Sequence, residues 1–157
     1  MGLSKAKFLG HPVHQMLIVF PLGLLATAVI FDLIYLLGDR ATMAIVSYWM
    51  IAAGIIGGLI AAPFGWIDWL AIPPATRAKS IGLWHGAGNV VVMLLFVASW
   101  LLRLDLPERP DAVPLVFSFM GAGLALLTGW LGGELVDRLG VGVDDGAHLN
   151  APSSLSR

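Results

Sequence analysis

The chain has no cysteine. Disulfides, iron–sulfur clusters and thiolate zinc sites built within it are therefore excluded. Any metal or haem would have to be held by His, carboxylate or Met. Charge is scarce as well: Asp, Glu, Lys and Arg make up 12% of the 157 residues, where soluble domains carry about 25%. Hydrophobic residues make up 58%. A water-soluble core at this length cannot absorb that much apolar surface, so the lipid bilayer is the expected solvent. A net charge of −1 and the lack of a basic stripe argue against nucleic acid as a partner.

What is present is a set of four apolar segments, at about 15–37, 42–63, 81–102 and 112–133. Each holds about 22 residues, enough to cross a hydrocarbon core of about 30 Å as a helix. The links 38–41 and 103–111 are short and polar, which forces consecutive helices to run antiparallel. The expected fold is all-α: a polytopic membrane protein with an up-down four-transmembrane-helix bundle over 1–139 and a flexible polar tail over 140–157. Lys5 and Lys7 ahead of an apolar run ending in Ala26-Thr27-Ala28 have the outline of a signal peptide. The run continues through Leu37, far beyond a signal's apolar region, so a retained helix is expected.

Lys5, Lys7, Arg77, Lys79, Arg138 and Arg157 fall on the face that holds both termini and the 64–80 loop; Arg40, Arg103 and Arg109 fall on the other. By the positive-inside rule this predicts a multi-pass protein of the bacterial cytoplasmic (inner) membrane with both termini cytoplasmic. Small residues recur at helical spacing: Gly54, Gly58 and Ala62, then Gly121, Ala125, Gly129 and Gly133. Such stripes let helices approach closely, within the bundle or between copies in a homo-oligomer. They also leave room for a flat cofactor.

The bundle topology brings distant polar residues to one membrane face. His11 and His14 precede the first helix, Asp68 follows the second, His85 opens the third and Glu134 closes the fourth. Pro12 suits the first helical position, which makes His11 the expected N-cap and places His14 in the first turn. His85 and Asn89, four apart, share a face. A neutral imidazole ligates metal or haem iron while its other nitrogen bonds a carboxylate or carbonyl. His14 and His85, with His11 as third ligand or propionate partner and Asn89 alongside, are the candidate haem residues. His11, His14, His85, Glu134 and Asp68 are the alternative donor set for a transition metal. Two other readings stay open: the histidines sit as interfacial residues beside an aromatic belt of Trp66, Trp69, Trp84 and Trp130, or they serve a quinone or proton relay. Glu134 and Arg138 could form an i,i+4 pair, and His148 reads as a solvated tail residue. Near the opposite face Asp32 is level with Ser47, Tyr48, Ser99 and Ser118, and is expected to face the bundle as a structural pin, with snorkelling to the nearby interface as the alternative.

Three blocks carry a resemblance: "GHPVHQMLIVFPLGLLATAVIFDLIYLLGD", "GWIDWLAIPPATRAKSIGLWHGAGNVVVMLLF" and "GWLGGELVDRLGVGV". In this order they resemble a family of small bacterial membrane proteins, domain of unknown function 2231, over about Gly10 to Val143. The family's H-P-x-H-x-x-L pattern is matched by His11 and His14, its histidine with Asn four residues on by His85 and Asn89, and its G-G-x-L-V block by Gly132, Gly133, Leu135 and Val136. Gln15 stands where the family pattern often has proline. The resemblance implies the fold but no reaction. Relatives joined to Rieske-type domains imply an electron-transfer context, although this chain has no cysteine for such a centre.

The reading is a redox-associated membrane module that binds b-type haem or a transition metal, with a redox protein as a candidate partner. The competing reading is a structural subunit or assembly factor with no cofactor of its own. An enzyme acting alone is disfavoured, because no nucleophile, base and oxyanion set is present.

Overall fold

A computed structural model describes residues 4–156; Arg157, counted in the charge tally above, lies outside them. A two-residue hairpin comes first, β1 (Lys7–Phe8) paired antiparallel with β2 (His11–Pro12). Leu9 and Gly10 between them both have positive φ, 51° and 88°, the backbone sense that matches the twist of a tight hairpin. Because His11 is spent in this strand, the helix begins one residue later than the sequence suggests. Pro12 is the N-cap, and His11 caps nothing.

Helices α1 (Val13–Leu17) and α2 (Val19–Gly38) form one span of 26 residues, stepped at Ile18. Pro21 lies in the turn after the step, where it offers no N–H to Leu17. Asp39, in the left-handed region with φ 46°, closes α2 by donating its N–H to Tyr35 O at 2.8 Å. Helix α3 (Ala41–Ala71) runs 31 residues, passing straight through Pro63. The expected end at residue 63 is thus corrected, and so is the expected 64–80 loop. The apolar run Trp66, Ile67, Trp69, Leu70 keeps the chain helical, and only 72–76 is a link. Thr76 caps α4 (Arg77–Leu101), its Oγ1 accepting the Lys79 N–H at 3.1 Å. Helix α5 (Ala112–Gly133) continues into a π-helical turn over Glu134–Arg138.

Four helical stretches are long and apolar enough to cross a membrane. They pack as two hairpins, α2 along α3 and α4 along α5, joined by α3 against α4 and α2 against α5. Leu25, Ala28, Val29, Ile51, Val92 and Phe96 form the buried centre. Large apolar side chains such as Leu37, Leu59 and Leu126 point outward, which costs nothing where the solvent is hydrocarbon. The glycines of the inner faces are filled by neighbours: a Cβ at Gly54 would meet Leu25 at 2.6 Å, one at Gly58 Met93 at 2.7 Å, and one at Gly121 Phe96 at 2.8 Å. At these positions the stripes serve packing rather than a cofactor. Gly129 and Gly133 face open space.

Asp32 faces the bundle, as its depth suggested, and its partner is Arg103. Both side chains have zero exposure. The guanidinium grips the carboxylate at both ends, Nη1 to Oδ1 at 2.7 Å and Nη2 to Oδ2 at 2.8 Å. It also donates to Ser47 Oγ at 3.2 Å and Ser118 Oγ at 2.9 Å. Ser99 completes the cluster, bonded to Ser118 at 2.8 Å and donating to Pro114 O at 2.7 Å. Arg103 was assigned above to the link 103–111 and counted among its charges. It instead turns back into the bundle, because an unpaired Asp32 there would carry a heavy desolvation cost.

Removing one member of this pair should therefore be worse than removing both. Asp32→Leu and Arg103→Leu are each expected to lose about 3–5 kcal/mol, since each strands a buried charge. The double leucine variant should lose less than either single one. Thermal melts in mild detergent measure this, and a double variant less stable than both singles would contradict it.

Candidate functional site

The residues read from sequence as one cluster separate into a pair and three outliers. The pair is His14, in the first turn of α1, and His85, two turns into α4 rather than at its opening. Both side chains are half-buried, and they lie within electrostatic reach of one another. His14 Nδ1 is 3.0 Å from Ala61 O on α3. His85 Nδ1 is 2.8 Å from Thr128 O on α5. A carbonyl oxygen only accepts, so in each ring Nδ1 carries a proton and donates.

Each ring brings its Cε1 edge against a glycine one turn beyond its carbonyl. A Cβ at Gly65 would stand 2.7 Å from His14 Cε1, and one at Gly132 would stand 3.1 Å from His85 Cε1. Any larger residue would push the imidazole off its carbonyl. Asn89 supports His85 from one turn along α4, as the i,i+4 spacing predicts. Its Nδ2 donates to His85 O at 2.9 Å and lies 3.2 Å from His85 Nε2. Thr128 Oγ1 donates to Asn89 Oδ1 at 3.1 Å, so the amide orientation is fixed from both sides. His14 has no such brace: Ile18 stands one turn along its own helix.

His11, Asp68 and Glu134 have other occupations. His11 is exposed, with Nε2 3.4 Å from Ser154 Oγ. Ser154 also donates to Leu9 O at 3.0 Å, which holds the tail against the N-terminal hairpin. Asp68 Oδ1 accepts from Ser4 Oγ at 2.9 Å and from the backbone N–H of Lys5 at 3.0 Å. It ties down the N-terminal segment. Glu134 pairs with Arg77 across the helices instead of with Arg138. His148 remains in the tail, where its Nδ1 accepts from Asn150 N at 3.2 Å. Among the described residues, no group of three or more His, Cys, Asp or Glu could hold a metal ion. The five-residue donor set His11, His14, His85, Asp68 and Glu134 is accordingly not assembled.

Sequence reasoning missed the residues that aim the rings: the carbonyls of Ala61 and Thr128, and the gaps at Gly65 and Gly132. A main-chain acceptor leaves no mark in the sequence. The glycines were visible, yet nothing in their spacing said which side chain they admit.

The profile of a family described as "predicted membrane protein (DUF2231)" matches residues 10–145, and the chain belongs to that family. No curated protein and no solved structure matches it.

The ring seats can be tested by filling them. Gly65→Ala should be destabilising by about 1–3 kcal/mol, the cost of overpacking. Gly132→Ala should cost less, because its Cβ has a few tenths of an ångström more room. Melting temperatures of the two variants in one detergent would show the order, and an equal or reversed order would contradict the seat geometry.

Proposed function

We propose that this member of the family is a b-type haem protein of the bacterial cytoplasmic membrane, in which His14 and His85 would hold the haem. One observation carries the reading. Two imidazoles, His14 and His85, are each seated against a glycine with Nδ1–H committed to a main-chain carbonyl. Carbonyl-bonded Nδ1 is the usual way of orienting an imidazole whose Nε2 takes iron.

The number of donors favours haem over a bare metal. Zinc or copper sites take three or four protein donors, and only two side chains converge here. Porphyrin brings four nitrogens of its own and asks the protein for one or two. When bound, it would supply one-electron chemistry, with a redox protein as partner. The chain's own residues hold and orient: Ala61 and Thr128 fix the rings, Gly65 and Gly132 admit them, and Asn89 keeps its bond to His85 O while yielding Nε2.

Absorption spectroscopy of protein purified from its native membrane tests this. A Soret band is expected in the wild type and should be lost in both His14→Ala and His85→Ala. The double variant should be no worse than either single, and His11→Ala and His148→Ala should keep the band. Wild-type protein without haem, together with alanine variants that fold normally, would defeat the proposal.

The orientation belongs to the same reading. With Arg103 drawn into the bundle, the face opposite the termini keeps only Arg40 and Arg109 as loop charges, against Lys5, Lys7, Arg77, Lys79 and Arg138. The bias toward cytoplasmic termini is steeper than the linear sequence implied. The chain lacks cysteine, so Pro74→Cys and Asp105→Cys report on the two faces separately. An impermeant thiol reagent on intact cells should label position 105 and spare position 74; the reverse pattern would invert the topology and put the haem at the outer face.

A further inference from the structure

The separation of Asp32 and Arg103 is 71 residues, and so is that of His14 and His85. Asp32 and Arg103 meet in a bidentate bond. The same offset carries Leu25 to Phe96 and Ala28 to Ser99, and all four are buried. It carries exposed Val19 to exposed Val90, and exposed Ile30 to exposed Leu101. The second helix of each hairpin repeats with an offset of 67. Five of the six buried positions of α3, Ser47, Tyr48, Ile51, Gly54 and Ala61, become Pro114, Leu115, Ser118, Gly121 and Thr128, which are all the buried positions of α5; the sixth, Ala44, falls on Asp111 at the N-cap of α5.

The contacts repeat along with the positions. Gly54 receives Leu25 as Gly121 receives Phe96, and Gly65 receives His14 as Gly132 receives His85. His14 reaches the carbonyl of Ala61 as His85 reaches that of Thr128. Sequence identity across the repeat is slight, so packing rather than composition displays it.

We infer that the chain is a fused dimer, two copies of one histidine-bearing helical hairpin related by a two-fold axis along the bundle, and that the His14–His85 site lies on this axis. Residues related by a two-fold meet each other only beside the axis. The Asp32–Arg103 pair is such a meeting and marks the axis at one end of the bundle; at the other end His14 and His85 occupy equivalent seats about it. Parallel repeats about the membrane normal are a recurring construction in membrane proteins. A site on the axis presents the same donor twice. Resting on the haem reading, His14 and His85 would hold the occupant as equivalent donors, one from each hairpin, and it would supply one-electron transfer there.

Spin labels on the full-length, cysteine-free chain test the axis without any ligand. Under a two-fold, the distance from Val19 to Leu101 equals that from Ile30 to Val90, because each pair is the image of the other. Double cysteine variants carrying nitroxides at these lipid-facing sites should give coincident distance distributions by pulsed electron resonance. Clearly different distances would overturn the fused-dimer inference. The haem-loaded, reduced protein should also show no Soret shift under carbon monoxide; a shift would reveal an open position and overturn the paired-ligand assignment. Absence of haem would defeat the proposed function and with it the ligand, while the label distances would still decide the axis.

Discussion

The bidentate bond between Asp32 and Arg103 fixes the relative height of the two hairpins. A carboxylate and a guanidinium without solvent exposure tolerate little longitudinal slip, because a shift of one turn would leave both charges in an apolar interior. Apolar packing alone gives no such lock in a bilayer, where leucine against leucine and leucine against lipid are nearly equivalent. The pair therefore sets the register of α2 against α4. Since His14 and His85 stand the same 18 residues from Asp32 and Arg103 on those chains, the same lock brings the two imidazoles level at the far end.

Within each hairpin a different force operates. Glycines at the crossing points let a side chain from one helix fill the gap in the other, so dispersion contacts accumulate over a long antiparallel seam. The seams are closed by shape, and the interface between hairpins is held by charge. Arg103 Nε and Trp100 Nε1 are buried without a protein acceptor among the described residues, which indicates that the polar cluster is held for register more than for strength. Ser47 and Ser118 soften its desolvation cost by accepting from the two Nη groups of the guanidinium, and Ser99 bonds Ser118 in turn.

The architecture was legible in the sequence because a membrane span needs length and apolarity and little else. The ends of the helices were less so. Pro63 looked like a terminus, yet the tryptophan-rich stretch behind it kept the helix going for two more turns. The depth of Asp32 allowed a bundle-facing pin or a side chain snorkelling to the interface, and Arg103 was read as a loop residue because it follows the apolar run rather than interrupting it. Its role was nonetheless encoded in the equal spacings His14–Asp32 and His85–Arg103. The histidine cluster was overdrawn for a related reason. Topology put five polar side chains at one level, but level says nothing about azimuth, and Asp68, Glu134 and His11 each found a partner elsewhere around the rim.

The two polar points of the axis are chemically unlike, and the contrast separates scaffold from site. At one end opposite charges complete each other, so the pair is closed and fully buried. At the other end both members are identical, both donate Nδ1–H to a main-chain carbonyl, and both are half-exposed. Asn89 braces one ring and nothing comparable serves the other. A duplicated hairpin would begin with like residues at both points, and like charges facing each other inside a membrane are untenable. At the buried end the two copies are unlike, as a stable structure requires. The histidine end carries two like residues in equivalent seats, and that likeness is what the proposed shared ligand would use.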